Sequence, residues 1–283
     1  MASLQKVKSR IKTVESIRKI THAMELVSTS KIRKAREYFN SVSNYENQVS
    51  QIVDSFFTQI TPAQLREYFI RKTSQKRLYI ILSSDLGLAG AYNSNVIKLA
   101  KSVLTNNDEI IILGTKAIRV LEHKYKNQII FSSNWTNFKY SDLAKVLSDL
   151  AVEKYRKNEI SQIHIIYNEF VNNLIQQEKD LTIMPYLPQH KVKKQPSSTQ
   201  LIEFEPNVKE ILNNTLPLFI NAKINLAIAS ALISEYAARR SAMETATDNA
   251  NELISNLSLE YNKKRQSNIT QELNEIVGGT DAV

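Results

Sequence analysis

The sequence predicts an α/β protein in which long N- and C-terminal helices pair as an antiparallel coiled coil around a central α/β domain. Two observations carry this reading. Residues 1–61 contain neither Gly nor Pro, and neither do residues 218–277. At ordinary usage of roughly 7% Gly and 5% Pro, such a stretch would carry about seven of them, so each end reads as one uninterrupted helix. Between the ends, strands alternate with helices, the pattern of a small, largely parallel sheet covered by helices. A lone helix of about sixty residues cannot bury its apolar stripe, so each end needs a partner, and the nearest is the other end.

In the first helix Leu4, Val7, Ile11 and Val14 step by three and four. Ile17, Ile20, Met24 and Val27 follow after two consecutive steps of three, and Ala35, Tyr38, Val42, Tyr45, Val49, Ile52 and Phe56 resume the heptad after Lys31. Such irregular steps read as stammers or stutters that change the supercoil locally. The tail repeats the alternation through Leu226, Ala229, Ile233 and Tyr236, then Met243, Ala246, Ala250, Leu253 and Leu257, with Arg240 at one seam position. Ile269, Leu273 and Ile276 extend it to Gly278-Gly279, the expected stop. At 1.5 Å per residue each helix is about 80–90 Å long, so at least half of the pair is expected to project from the rest.

In the centre, residues 77–82 read as a buried strand, followed by a loop with Gly87 and Gly90 and a helix over 93–104. Strands are expected at 109–113, 128–131, 163–167 and 180–184, and helices at 115–123 and 141–156, the last with Ser141 as its cap. Pro185, Pro188 and Pro196, with Lys191, Lys193 and Lys194, mark an exposed loop before a strand-like 201–204, and Pro206 suits the first turn of the tail helix. The division is therefore 1–60 for the N-terminal coiled-coil helix, 75–205 for the globular domain and 206–283 for the C-terminal coiled-coil helix.

Composition narrows the functions available. No run is apolar enough to span a bilayer, since Leu226 to Ile233 is short and broken by Ser230. The first residues show no apolar signal core, so cytosolic synthesis and retention are expected. There is no cysteine, which removes disulfides, thiolate metal sites and thiol nucleophiles. The net charge of +9 is uneven. Residues 1–40 hold Lys or Arg at 6, 8, 10, 12, 18, 19, 31, 33, 34 and 36 against Glu15, Glu25 and Glu37, whereas residues 235–277 are slightly acidic. A basic helix of this kind suits nucleic acid, an anionic membrane, a negatively charged protein sleeve, or simply the solvated face of a coiled coil.

No catalytic constellation stands out. The loop Asp85-Leu86-Gly87-Leu88-Ala89-Gly90 follows a strand and precedes a helix, where phosphates are often cradled, but the three-glycine fingerprint is absent. Gly114-Thr115-Lys116 is not a P-loop, because the Lys-Thr order and the upstream Gly are wrong. A structural turn is the better reading of both. His22, His123, His164 and His190 are scattered without ligand spacing, and no nucleophile elbow appears. No cofactor, metal or direct small-molecule substrate is expected.

Three ordered blocks carry a family likeness. Residues 17–31 (IRKITHAMELVSTSK), 83–95 (SSDLGLAGAYNSN), and the tail segments 236–250 (YAARRSAMETATDNA) and 261–277 (YNKKRQSNITQELNEIV) resemble the γ subunits of F-type ATP synthases, collinearly from residue 4 to 283. The resemblance implies a non-catalytic central-stalk rotor: an antiparallel coiled coil inserted through an α3β3 ring, one γ per ring, above a Rossmann-like α/β foot that meets the ε subunit and the membrane c-ring. It implies a peripheral location on the cytoplasmic face of the bacterial plasma membrane, and nucleotide chemistry confined to the β subunits. Arg265 and Gln266 fall on the family's Arg-Gln pair that contacts a β-subunit loop, and Thr270 and Glu272 match polar positions on the same face. Met24, with Ala23 and Lys31, matches the segment near the β levers, although Met24 reads equally as seam packing. Phe204 and Glu205, before Pro206, resemble the aromatic-Glu-Pro stretch at the foot, beside the membrane ring.

The sequence departs from the family at several positions. Leu86 replaces a basic residue, Ala89 and Ala91 stand at the common Cys and Gly positions, His22 stands where Lys is frequent, and Arg240 where an apolar residue is usual. The chloroplast-type cysteine insert is absent. These departures bear on polar roles of the central loop rather than on the fold. Two other readings compete: the rotor of a paralogous motor with a different mechanical task, and a basic coiled-coil nucleic-acid-binding or scaffold protein. The second leaves the tail motifs unexplained, and no nucleic-acid partner is expected.

Overall fold

The computed structural model describes residues 4–59, 74–137, 139–186 and 207–280, and the side chains of all these except 57–59, 208–209 and 275–280. In chain order the elements are α1 (Leu4–Gln59), β1 (Arg77–Leu82), α2 (Tyr92–Val103), β2 (Glu109–Leu113), α3 (Thr115–Tyr125), β3 (Ile129–Ser133), α4 (Tyr140–Arg156), β4 (Gln162–Phe170), β5 (Gln176–Met184) and α5 (Val208–Thr280). Short 3-10 turns precede β3 and α4. The chain divides into two compact units, Lys31–Ala238 and Met1–Ser30 with Arg239–Val283.

The larger unit is built on a five-stranded sheet of order β3-β2-β1-β4-β5. β1 pairs in parallel with β2 and β4, β2 with β3, and only β5 runs antiparallel, as a hairpin return from β4. Both faces of the sheet are covered, which is why β1 and β2 read as continuous apolar runs. On one face Leu78, Ile80, Leu82 and Ile165 pack against Leu143 and Leu147 of α4, Phe219, Ile220, Ile224 and Ile228 of α5, and Val53 of α1. On the other face Tyr79, Ile81, Ile110 and Ile112 meet Val96 and Ala100 of α2 and Ala117 and Leu121 of α3. Within this unit α1 and α5 are antiparallel neighbours. Lys223 Nζ lies 2.5 Å from the buried Glu46 carboxylate, and Tyr38 Oη donates to Asn225 Oδ1 at 2.5 Å.

Helix α5 differs from expectation at three places, each with a local cause. It starts at Val208, where Asn207 Oδ1 accepts the Glu210 N–H at 2.9 Å as an N-cap; Pro206 lies outside the described residues. It runs through Pro217. A proline there removes the N–H that would serve the Asn213 carbonyl, and Arg156 Nη2 of α4 donates to that carbonyl instead, at 2.5 Å. The helix also continues across Gly278-Gly279 to Thr280 rather than stopping at them. Glycine weakens a helix by about 1 kcal/mol per residue without forbidding it.

Two further expectations are corrected. Ser141 is not the cap of α4: Lys139 takes that position and Ser141 Oγ lies 3.3 Å from Asp142 Oδ1 inside the first turn. The tail does contain an 18-residue window, within Glu210–Asn274, long and apolar enough by composition to cross a bilayer, with mean hydropathy 1.7. However, 67% of that window is buried inside the protein. Its apolar residues are those packed on the sheet, so the composition is that of a core helix.

In the smaller unit, α1 and α5 again run antiparallel: Arg18 Nη1 donates to Asn251 Oδ1 at 3.5 Å and Thr247 Oγ1 to Thr21 Oγ1 at 2.8 Å. The seam of α1 here corrects the expected stammers. Buried and half-buried positions fall at 4, 7, 11, 14, 18, 21, 24, 25 and 28; with Met24 on its flank, the seam through the others alternates threes and fours without a break. The seam passes through Arg18, Thr21, Glu25 and Ser28, not through the neighbouring apolar residues, and Ile17, Ile20 and Val27 are 48%, 60% and 55% exposed. Arg18 and Thr21 find partners on α5, Glu25 lies 3.4 Å from His22 of its own helix, and Ser28 Oγ returns to the Met24 carbonyl at 2.7 Å.

Candidate functional site

The sequence singles out α5 beyond residue 260, and its local structure is distinctive. From 239 to 264 a buried or half-buried residue recurs every three or four positions, whereas every residue from 265 to 274 is exposed. The antiparallel register explains the change. The Glu260 carboxyl is held below its ordinary pKa by a hydrogen bond from Lys264 and, more weakly, by the charge of Arg10, so Arg10 lies nearby. Only a few residues of α1 remain beyond Arg10, and α5 continues after α1 has ended.

Arg265, Gln266, Thr270 and Glu272 all lie on this exposed stretch. At 100° per residue they span one broad face, interleaved with Ile269 and Leu273, which are 44% and 56% exposed. Thr270 Oγ1 bonds back to the Gln266 carbonyl at 2.9 Å, and Arg265 and Glu272 form no ion pair among the described residues. An exposed guanidinium beside two apolar side chains is equipped to take a carboxylate from another chain while burying apolar surface around it.

Met24 is half-buried, on the flank between the α1 seam and an exposed apolar stripe formed by Ile17, Ile20 and Val27 at helical spacing. Ala23 is exposed. Lys31, in the larger unit, is exposed with its ammonium 5.3 Å from the centre of the Tyr236 ring. Phe204 and Glu205, and the loop lysines before them, lie outside the described residues. The outward apolar stripe of α1 was missed in the sequence because the same residues were assigned to the seam. The signal available was the strict heptad through Val7, Val14, Thr21 and Ser28.

The loop between β1 and α2 is closed by its own polar groups. Asp85 Oδ1 accepts the Thr115 N–H at 3.0 Å and its hydroxyl at 3.1 Å, and Oδ2 accepts the Trp135 N–H at 3.0 Å. The carboxylate therefore occupies the N-terminus of α3, where a nucleotide phosphate would otherwise be held. Ser84 and Asn93 bond each other, and Trp135 Nε1 donates to the Ser83 carbonyl. Leu86 and Leu88 are each 63% exposed, and Leu88 has φ of 62°. Asp85→Ala is expected to destabilise the chain by about 1–2 kcal/mol through the lost cap, read as a lower urea midpoint; a change under about 0.5 kcal/mol would show that the cap is not the residue's role.

The histidines do not converge. His22 sits 3.4 Å from Glu25 on α1, His123 is exposed on α3, and His190 lies outside the described residues. His164 is buried, with Nδ1 3.0 Å from Asp180, Nε2 3.0 Å from Gln162 and its ring stacked on Tyr79. No group of three or more His, Cys, Asp or Glu that could hold a metal ion occurs among the described residues.

Comparison with known proteins decides among the readings. Residues 3–283 match the family model described as ATP synthase. The ATP synthase gamma chain of Mycoplasmopsis agalactiae is 45% identical over 289 aligned positions, covering 100% of both chains. The chain belongs to the ATP synthase gamma-chain family. The gamma chain of Clostridium botulinum is 34% identical, with 99% of this chain and 98% of that one covered. The fold agrees with the family's: a chain in the Euglena gracilis mitochondrial ATP synthase structure (OSCP/F1/c-ring, rotational state 3) superposes with a TM-score of 0.66 at 18% identity, covering 99% of this chain and 94% of that one. A chain from the Tetrahymena thermophila mitochondrial ATP synthase central stalk and c-ring gives 0.60 at 19% identity, covering 80% and 99%. The long paired helices and the Rossmann-like sheet domain are thus the family's architecture, and the gamma chain is a subunit of the ATP synthase complex.

Proposed function

We propose that this gamma chain is the central-stalk rotor of an F-type ATP synthase, coupling proton-driven rotation to ATP synthesis or hydrolysis in an α3β3 ring. The full-length likeness to gamma chains carries the proposal, and the exposed end of α5 supplies its contact surface. One chain serves one ring. Residues 1–60 and 206–283 form the shaft, and residues 75–205 form the foot that meets ε and the membrane c-ring, with Phe204 and Glu205 at the ring. The complex sits peripherally on the cytoplasmic face of the bacterial plasma membrane.

Within the ring, Arg265 and Gln266 take a carboxylate and backbone groups of one β-subunit loop, with Thr270 and Glu272 on the same face. Met24 and Lys31 face the β levers, where positive charge suits acidic partners. A single asymmetric shaft cannot contact three β subunits alike, and a ligand shifts a conformational equilibrium only through differential contact. Rotation therefore moves each β subunit in turn through open and closed states. The gamma chain itself performs no chemistry, in keeping with a β1–α2 loop whose helix terminus is already filled by Asp85.

Two measurements test this. The tagged chain, recovered from membranes, is expected to bring with it α, β, ε and the proton-translocating ring in a particle whose mass fits one gamma per α3β3; recovery without α and β would end the proposal. The purified chain alone is expected to hydrolyse no ATP above a buffer blank, and robust intrinsic ATPase activity would refute the division of labour.

A further inference from the structure

Helix α5 carries one buried polar break in its most apolar stretch, Ser230 between Ala229 and Ala231. Ser230 Oγ accepts the backbone N–H of Phe170, the last residue of β4, at 2.8 Å. The next residue, Ala231, accepts through its carbonyl a 3.0 Å bond from Tyr92 Oη, the first residue of α2. Asn168 of β4 closes the set by donating from Nδ2 to the Tyr92 carbonyl at 2.9 Å. Tyr92, Asn168, Ser230 and Ala231 are all buried. Three elements, α2, β4 and α5, are tied by directional bonds at one point.

The surroundings explain why such ties matter here. Ala227, Ser230, Ala231 and Ser234 fall at i, i+3, i+4 and i+7, so this face of α5 is lined by small side chains. Small side chains allow close approach, with Ile224, Ile228 and Leu232 as larger buried neighbours, but apolar burial has no direction of its own. Hydrogen bonds do. The larger unit ends at Ala238, about two helical turns beyond Ser230, so these bonds tie α5 to the sheet in the last part of the helix that belongs to this unit.

We propose that Tyr92, Asn168 and Ser230 are positioning residues that key α5 to the sheet, so that torque applied to the sheet unit turns the helix instead of being lost as local twist. The inference rests on the rotor reading above. It requires the bonds to act as one unit: loosening one should loosen the others.

The test uses Tyr92→Phe in the complete membrane-derived complex, which removes the hydroxyl and keeps the ring. Two quantities are read: hydrogen exchange at the Phe170 amide, and protons moved per ATP hydrolysed in sealed vesicles against a growing gradient. Loss of one hydrogen bond is expected to raise the open population, and with it Phe170 exchange, about fivefold, although Tyr92 does not itself bond Phe170. Protons moved per ATP should fall as the gradient rises while hydrolysis persists. Unchanged exchange at Phe170 overturns the key as a unit, and raised exchange with an unchanged proton ratio overturns its role in torque. If Tyr92→Phe does not enter the complex, Ser230→Ala carries the proton measurement, and an unchanged ratio overturns the proposal. Wild-type complex that hydrolyses ATP without moving protons would instead overturn the rotor reading.

Discussion

Replacing Arg265 and Gln266 together by alanine is expected to lower ATP turnover of the assembled complex by about tenfold or more, with the unfolding midpoint of the isolated chain unchanged. The second half follows from the structure. Every residue from 265 to 274 is exposed, and Arg265 makes no ion pair among the described residues, so truncation removes no support from the fold. Surface changes away from packed features usually stay within about 0.5 kcal/mol, and alanine favours the helix. The first half follows from what a guanidinium does once its partner arrives. A hydrogen bond to a charged group contributes roughly 1.5–3 kcal/mol, and 1.4 kcal/mol is a factor of ten. Arg265→Lys separates charge from geometry, because an ammonium keeps the charge and loses the fork that binds a carboxylate in two places. Turnover at the wild-type rate in fully assembled double mutant would remove the case for this contact, and a lowered midpoint would mean that the pair packs within the chain.

The fold was legible because its signals are local and redundant. Strands 77–82 and 109–113 lie between helix-covered faces, so each is buried and apolar after its first, charged residue, Arg77 or Glu109, and their predicted ends coincide with those observed. The β4–β5 hairpin was less legible. β5 is an edge strand whose first half, Gln176 to Asp180, carries polar and charged residues, so only its buried end was foreseen. Helix termini misled where a tertiary partner overruled a local preference. Pro217 is tolerated because Arg156 serves the freed carbonyl, and no pattern along the chain links residues 156 and 213.

The candidate surface was legible in part, for a related reason. Arg265 and Gln266 are proposed through the resemblance, and the structure adds that α5 is exposed from residue 265 to 274. The α1 face was misread because apolar identity was taken as a proxy for burial. Ile17, Ile20 and Val27 are apolar and exposed, while Thr21 and Ser28 are polar and buried. On the rotor reading proposed above, a helix that turns among other subunits can keep apolar side chains on its outside and let short hydroxyls, satisfied by Thr247 or by their own backbone, occupy the seam. Exposed apolar stripes of this kind mark surfaces that meet another protein.

The largest effect on stability is expected at Gly114, a residue whose neighbours Thr115 and Lys116 resemble a fragment of a phosphate loop. Its φ is +96°, and a β-carbon added there would lie 2.2 Å from the Ser83 carbonyl oxygen and 2.5 Å from the Ser83 hydroxyl. The near approach is structural. Gly114 donates its N–H to the Ser133 carbonyl at 3.0 Å, and Ser83 Oγ lies 3.1 Å from the Gly114 carbonyl and 3.0 Å from the Ala117 N–H. This glycine thus joins the carboxyl ends of β1, β2 and β3 to the start of α3. Gly114→Ala forces backbone against backbone at the meeting point of three strands, and is expected to cost at least about 3 kcal/mol. Gly90 supplies the control. Its φ is also positive, at +54°, but nothing lies within 4 Å of an added β-carbon. Gly90→Ala therefore carries only the conformational cost, about 1–2 kcal/mol. Urea unfolding of the two full-length variants separates the effects: equal losses would mean that the clash at Ser83 is relieved cheaply, while a Gly114→Ala chain far less stable than Gly90→Ala assigns the glycine to packing rather than to a ligand.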